Sequence, residues 1–550
     1  MGVEMDATIR GRGDLAAWNR EQPSNFYTDD DALQALVEHH GLKSYAPKFH
    51  AAGGVVAGPL DEAARENNLH RNLPVLDDWS DIGEFTGGVH HHPSWWTAGR
   101  LIYGTGIMSL YGETPTSHRA IFTLFYLTAQ VGEAGHNCPL ACDAGAIRSL
   151  QALGIPEQKA AYLERLLDPD FDTNFTGSQF LTEVQGGSDV GANSAVARCI
   201  RGGTEAGSEW SISGEKWFCS NADADVFILT ARPEGAAEGT RGLGLFLVPR
   251  VKPDGTLNGF RIRRLKDKLG TRSMASAEID FDAAYGEAVG PVDAGFKSVM
   301  ELVITTSRLY NAAACAANSR RSWVIASTYA QHRRAFGAPL ADFSAVRETL
   351  AWMRADTAGS VASTLWLAGL LEEIDRGSID ERDAAFFRVA VNLNKLQTAL
   401  IAHETVNRGI EILAGNGAIE SFSILPRLLR DNVVYENWEG THNVLRAQIL
   451  RDCARLGVHR GFFDVLADIL GPQTIAGDRA EMDAILALDL TDDLAPLRFR
   501  RLASRMALRM MQAAMSPLSA LADHRMLLGR ELDPPELDAD YLALIDRLQR

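Results

Sequence analysis

The sequence is poor in everything that would mark a secreted, membrane-bound or polyanion-binding chain. It has no apolar run of the ~20 residues needed to cross a bilayer. Its first residues, MGVEMDATIRGRGDLAAWNR, contain no apolar segment of the kind a secretory signal needs. Both absences lead to the expectation of a cytoplasmic protein that does not enter membranes. Cysteine is scarce, at six in 550 residues. Only Cys138 and Cys142 are close, and no second pair completes a zinc-ligand pattern, so reduced thiols are expected and no metal. Basic charge is in deficit: 71 Asp and Glu stand against 54 Lys and Arg, a net charge of −17. Such a field repels nucleic acid, whose binding depends on clustered cations that neutralise phosphates. A strand-framed dinucleotide fingerprint is missing too. Gly11-Arg12-Gly13-Asp14-Leu15-Ala16 has the letters of one but lies in a polar N-terminal stretch with no strand before it, and coincidence explains it.

Hydrophobic residues make up 46%, enough for large cores, and the length suits about three or four domains. The texture changes along the chain. Up to residue 172 it reads as helical after a loose start, with helical spacing at 30–40, 118–131 and 144–153 and short loops near 53–58 and 81–93. From 173 to 285, short β-branched and aromatic segments (210–212, 225–230, 244–248, 260–263, 277–281) alternate with Gly, Asn and Asp clusters. That spacing predicts a small β-barrel or sandwich, because no long helices intervene to make βαβ units. From 286 to 456, Ala- and Leu-rich helices are expected at 293–332, 341–376, 380–414 and 441–456, and a helical extension follows over 457–550. The fold class expected is α+β: helical domain, β domain, helical bundle, helical tail.

Six segments carry chemistry. Leu181-Thr182-Glu183-Val184-Gln185-Gly186-Gly187-Ser188-Asp189-Val190 joins paired glycines, which let backbone approach a ligand, to small hydroxyl donors. Gly214-Glu215-Lys216-Trp217-Phe218-Cys219-Ser220-Asn221 offers aromatic faces and a hydroxyl on one strand. Lys268-Leu269-Gly270-Thr271-Arg272-Ser273-Met274 follows a basic stretch, 263–267. Arg333-Arg334-Ala335-Phe336-Gly337-Ala338-Pro339-Leu340 supplies guanidinium groups suited to phosphate. Leu413-Ala414-Gly415-Asn416-Gly417, with Arg430-Asp431 after it, is a glycine loop against which a pyrophosphate can lie. Trp438-Glu439-Gly440-Thr441-His442-Asn443 places a carboxylate on a turn, with Thr441 expected to cap the next helix.

In order and spacing these segments resemble the acyl-CoA dehydrogenase superfamily over about residues 15–460. Gln22-Pro23, His92-Pro93-Ser94-Trp95, Gln130-Val131-Gly132-Glu133-Ala134-Gly135 leading to Cys138-Pro139, Trp438 and the helical tail resemble its AidB-like branch. The resemblance implies a helical N-terminal domain (1–172), a β-barrel (173–285), a four-helix bundle carrying the base (286–456) and an extra helical tail (457–550), assembled as a homotetramer. It implies FAD as cofactor, held by Thr182, Ser188, Phe218, Ser220, Arg333, Phe336, Gly415, Thr441 and Asn443. Trp217 is then a neighbour of the flavin contact Phe218, and Arg333 acts across a subunit interface. Arg308 and Gly440 are assigned to an acyl-CoA substrate. Glu439 is assigned as the base that takes the α-proton while a hydride leaves the β-carbon for flavin N5. Electrons pass on to an electron-transfer flavoprotein or another acceptor. Some members carry the base on an earlier helix, where this chain has Ser307; a serine cannot serve, which leaves Glu439. Ser344 and Glu411 stand where the family usually has Gln, and Met274 where it has a small residue.

Two features sit outside this frame. The run His90–His92 suggests a metal, but adjacent side chains point in different directions, so a loop is expected. Arg498, Arg501, Arg505 and Arg509 recur at helical spacing. One reading is a DNA-phosphate face, as the AidB-like branch suggests, in a flavoprotein whose main role is DNA protection or acyl binding and not catalysis. The other is a solvated stripe paired with Asp492, Asp493 and the acidic loop 531–540, and the net charge favours it.

Overall fold

The computed structural model describes residues 2–488 and 492–549. The chain forms two compact units: one comprises 59–116 and 133–310, the other 1–58, 117–132 and 311–550. The helices used below are α1 (Gly2–Arg20), α2 (Pro93–Tyr103), α3 (His118–Ala129), α4 (Ala134–Leu153), α5 (Thr305–His332), α6 (Ser344–Arg376), α7 (Glu381–Leu413), α8 (Leu425–Asn437), α9 (His442–Leu456), α10 (Leu494–Met515) and α11 (Ala539–Gln549). The strands are β1 (Gly177–Phe180), β2 (Val196–Arg201), β3 (Glu209–Ser220), β4 (Val226–Pro233), β5 (Gly244–Pro249), β6 (Phe260–Leu265) and β7 (Ser276–Ala288).

In the first unit the seven strands run in the order β1-β4-β2-β3-β7-β5, and β5 also pairs with β4, so the sheet closes into a barrel with β6 added on β7. Closure removes free edges within the ring β4-β2-β3-β7-β5. Only β1–β4 and β2–β4 are parallel. Alternate residues fill the barrel: Trp210 and Ile212 from β3, Phe227 and Leu229 from β4, Phe246 and Val248 from β5, Ile279 and Phe281 from β7. Four of the five strand segments expected from sequence fall inside observed strands and the fifth, 225–230, starts one residue before β4; β1 and β2 were not anticipated.

The second unit is built on α5, α6 and α7, which run for 28, 33 and 33 residues. Its core is polar in part, and hydrogen bonds link helices within it: Ser363 donates to Asn394 at 2.7 Å, and Asn394 donates to Thr364 at 3.0 Å. The tail docks on α6, where Tyr541, Leu544, Ile545 and Leu548 of α11 pack against Ala351 and Ala355, and Arg530 pairs with buried Asp356 at 2.8 Å.

Two local expectations are corrected. The start is not loose, since residues 2–20 form α1, anchored by Trp18 stacking on Phe422 at 5.1 Å and meeting Tyr329 edge-on at 5.4 Å. Gly11 and Gly13 therefore lie inside a helix, not at a phosphate-binding turn. The glycines near 53–58 do not mark a loop either, because the chain is helical through Ala46–Val55 and Val56–Leu60. A Cβ on Gly53 would lie 2.3 Å from Asn25 Oδ1, so glycine serves close packing there.

Candidate active site

In the barrel-containing unit the first two motifs form one constellation. Beyond β1 the chain turns at Val184-Gln185, with Glu183 and Gly186 bridged across the turn. A Cβ on Gly187 would lie 2.5 Å from Thr182 Oγ1, so the glycine lets the loop bearing Ser188 close over Thr182. Glu183 pairs with Lys216 of β3 at 2.7 Å, with side-chain exposures of 1% and 0%. Its carboxylate also accepts from Ser194 N (2.6 Å), Ser194 Oγ (2.8 Å), Ala195 N (3.2 Å) and Gln185 Nε2 (2.7 Å). Burial alone would raise the Glu183 carboxyl; the Lys216 ammonium and these donors outweigh it and hold it below the usual carboxylate range. Trp217 N donates to Thr182 O at 2.9 Å, tying the strand to the loop.

Pairing of β3 with β7 slips between Lys216 and Cys219. Both of these are buried, so Trp217 and Phe218 form a bulge instead of alternating across the sheet. Lys266 Nζ lies 3.7 Å from the Trp217 ring centre and 4.7 Å from that of Phe218. Phe218 is 53% exposed. Ser220 pairs with Ser276, whose hydroxyl accepts from Lys268 Nζ at 2.8 Å, bringing the third motif beside the second. Met274, where a small residue was expected, is buried.

Arg308 is buried on α5 in this unit. Ser307 before it exchanges hydrogen bonds with Gln179 of β1 (2.9 and 3.2 Å). Arg148 of α4 holds the preceding turns through Leu302 O (3.3 Å) and Thr306 Oγ1 (2.5 Å), where Val299–Ile304 is π-helical. The three histidines part company. His90 lies 3.8 Å from Asp77, His91 pairs with Asp223 at 3.0 Å, and His92 accepts from Ser94 N at the start of α2.

In the helical unit, α8 ends at Asn437 and α9 starts at His442, leaving Trp438–Thr441 as a turn. Glu439 has φ of 56° and Gly440 of 102°. Trp438 stacks on Tyr435 at 5.1 Å. Glu436 accepts from His403 (2.7 Å) and His442 (3.0 Å). Burial would raise its carboxyl, but the two imidazoles prevail and hold it low. Lys395 Nζ, on α7, donates to Glu436 O (3.0 Å) and Gly440 O (2.9 Å). Thr441 stands at the N-cap of α9, but its hydroxyl makes no capping bond, contrary to expectation. The residue is exposed. Asn443 accepts from Arg446 at 3.2 Å.

Arg333 ends α5 and leads into a hairpin in which Arg334 pairs with Pro339 and Ala335 with Ala338. The two-residue turn puts Phe336 at φ 50° and Gly337 at φ 87°. Such turns favour Asn-Gly, so a phenylalanine here is strained, and it is 97% exposed. Among the described residues no carboxylate pairs with Arg333. Gly415 follows Ala414 (φ 51°), and a Cβ on it would meet nothing within 4 Å. Asn416 beside it donates to Tyr329 at 3.1 Å.

The arginine stripe is partly neutralised, by partners other than those expected. Arg505 binds Asp478 (2.9 Å) and Glu481, both on the helix Pro472–Leu486 that packs on α10, and Arg509 lies 3.8 Å from Asp478. Arg498 and Arg501 are exposed.

Sequence reasoning gave no role to Lys216, Lys266, Lys395 or Glu436. Lys216 and Glu183 lay inside quoted motifs, and their shared burial was the missing information. Lys395 sits in an unremarkable helical stretch, AVNLNKLQTAL, with no local signal at all.

Three family models match the chain in succession: the adaptive response protein AidB N-terminal domain (residues 19–173), the acyl-CoA dehydrogenase middle domain (178–284) and the acyl-CoA dehydrogenase C-terminal domain (293–454). The chain is 36% identical to acyl-CoA dehydrogenase family member 11 of Caenorhabditis elegans, over 78% of this chain and 70% of that one. It is 31% identical to the putative acyl-CoA dehydrogenase AidB of Escherichia coli K12, over 81% and 80%. Among solved structures, C. elegans ACDH-11 in complex with C11-CoA superposes with a TM-score of 0.81 at 24% identity, covering 95% of this chain and 94% of that one; this shows the fold.

Proposed function

Because this chain belongs to the acyl-CoA dehydrogenase family and carries an AidB-type N-terminal domain, we propose that it catalyses α,β-dehydrogenation of an acyl-CoA thioester, with Glu439 as the base. The observation that carries this reading is the backbone at Glu439: a half-buried, non-glycine carboxylate held in the left-handed region, followed by Gly440. Such a conformation costs about 1 kcal/mol or more and persists where the surroundings over-determine it, as at reactive sites.

FAD is the cofactor. The residues of each unit fit it by their own chemistry. On the barrel, the exposed Phe218 ring, with Trp217 beside it, suits a planar ring system, and the Thr182, Ser188 and Ser220 hydroxyls suit its polar edge. In the helical unit, Arg333 has no carboxylate partner among the described residues, and the open Gly415 backbone suits phosphate. When bound, FAD supplies the acceptor for the β-hydride. The chain's own part is to bind the thioester and move one proton. Glu439 takes the proton from the α-carbon, and a backbone N–H of the 439–441 turn donating to the thioester carbonyl makes that carbon more acidic. Arg308 and Gly440 are assigned to the substrate, and an electron-transfer flavoprotein or another acceptor reoxidises the protein. Anaerobic titration of the yellow protein with a panel of acyl-CoA chain lengths tests the reading. Bleaching by at least one member is expected, and none across the panel would sink it.

A strained, almost fully exposed aromatic at the tip of a hairpin, three residues from Arg333, which has no carboxylate partner among the described residues, supports a homotetramer in which this hairpin meets a second copy. Phe336→Asp should shift the species seen by light scattering to a smaller assembly and lower the bound FAD per chain. An intact, fully loaded tetramer would remove Phe336 from that role.

A second reading, binding of duplex DNA through α10, is weakened by the ion pairs of Arg505 and by the net charge of −17. Contacts from four arginines to phosphate would make affinity fall steeply with salt. We expect weak binding at physiological salt, unchanged when Arg498, Arg501, Arg505 and Arg509 are all replaced by Ala. A sub-micromolar complex in a fluorescence-anisotropy salt titration, lost in that variant, would promote DNA binding over catalysis.

A further inference from the structure

The turn that bears Glu439 is short, bent through two positive-φ residues, and tied down by a side chain far away in sequence. Lys395, in the middle of α7, is fully buried. Its ammonium reaches Glu436 O at 3.0 Å and Gly440 O at 2.9 Å. These two carbonyls differ in kind. Glu436 lies in the last turn of α8, where carbonyls lack intrahelical partners and the helix dipole is negative, so a cation is well placed there. Gly440 lies beyond the helix, on the far side of Glu439. One ammonium therefore clamps the chain on both sides of the carboxylate.

Burying a lysine costs several kcal/mol unless it is well bonded. The same cost could be met by any acceptors; here two of them are the carbonyls flanking Glu439. Other bonds act on the same segment through side chains: Asn311 donates to Tyr435 O at 3.0 Å at the helix end, and the Glu436 carboxylate accepts from His403 and, across the turn, from His442. The carbonyl of Gly440, at φ 102°, is gripped by Lys395.

We propose that Lys395 is a positioning residue for the base: by pinning the Glu436 and Gly440 carbonyls together it sets the left-handed turn in which Glu439 stands. This rests on the assignment of Glu439 as the base. Misplacing a reacting group by about 1 Å costs on the order of a hundredfold in rate, while binding contacts made elsewhere are kept. Lys395→Met keeps the stem and removes the donors.

In the FAD-loaded Lys395→Met protein, the rate of flavin reduction by acyl-CoA should fall by about 10- to 100-fold. Affinity for a non-reducible acyl-CoA analogue should stay within about threefold, a split that general destabilisation would not give. Hydrogen exchange of the backbone amides over 437–441 should quicken at least about tenfold, with the barrel amides unchanged. If the Met variant yields no holoprotein, Lys395→Gln, which keeps a donor on a slightly shorter stem, is read by the same two measurements, with an expected rate loss of about three- to tenfold. Parental reduction rate and parental exchange in the variant that folds would overturn the proposal, as would weakened analogue binding at an unchanged rate. Glu439→Gln separates the two ideas. If it keeps turnover, the base assignment falls and the positioning role with it. If it abolishes turnover while the Lys395 variants match the parent, only the positioning role falls.

Discussion

Glu439→Gln should remain yellow and lose about 100- to 10,000-fold in the rate of anaerobic flavin bleaching by acyl-CoA. The amide matches the carboxylate in size and can occupy the same turn, since the φ of 56° is no worse for Gln than for Glu. It cannot accept the α-proton. The nearest alternative in sequence terms, Ser307, exchanges hydrogen bonds with Gln179 and has no carboxylate chemistry. Glu436 is a poor substitute, because two imidazoles already occupy its oxygens and hold it deprotonated and engaged. Stopped-flow absorbance of the bound flavin gives the rate, and FAD per chain gives the control. A variant that bleaches within about threefold of the parent would take the proton-transfer role away from Glu439.

What could be read in the chain and what could not divide along one physical line. Short runs of β-branched and aromatic residues between Gly, Asn and Asp clusters announced the barrel strands from β3 to β7. β1 and β2 were missed because GSQF and VARCIR carry only one or two β-branched or aromatic residues each. Motif order was enough to nominate Thr182, Ser188, Phe218 and Ser220, and the structure places these within one loop-and-strand constellation. Strict alternation would have put Trp217 and Phe218 on opposite faces; the bulge between Lys216 and Cys219 sets both against Lys266, and a bulge leaves no mark in a single sequence. Charge was the hardest to read. The arginines of α10 look like one stripe, yet two of them are drawn to Asp478 across a helix pair whose packing the spacing does not encode. Lys395 and Lys216 look like ordinary surface lysines in sequence, and both are fully buried.

The buried pair Lys216–Glu183 gives the largest expected effect on stability. Lys216→Met should destabilise the barrel by about 3 kcal/mol or more, because removing one partner of a buried ion pair leaves the other charge uncompensated. Four further donors remain on the Glu183 carboxylate, which keeps the loss toward the lower end of the usual ~3–5 kcal/mol. Most of that loss should return in the double variant Lys216→Met with Glu183→Gln, since the damage comes from the orphaned charge more than from the missing attraction. The pH dependence has a definite sign. Glu183 is held below its unfolded value of about 4.3. In the parent, its contribution is therefore present above that value and lost as pH falls through the lowered folded one. Without Lys216 burial dominates and pushes the carboxyl up, so the variant sheds its penalty on protonation. Parent and variant should differ most near neutrality and converge in acid. Denaturant midpoints followed by barrel Trp fluorescence between neutral and acid pH measure this. A loss below about 1 kcal/mol at neutral pH, or a gap that widens in acid, would show that the carboxylate and not the ammonium holds the loop bearing Thr182 and Ser188 against β3.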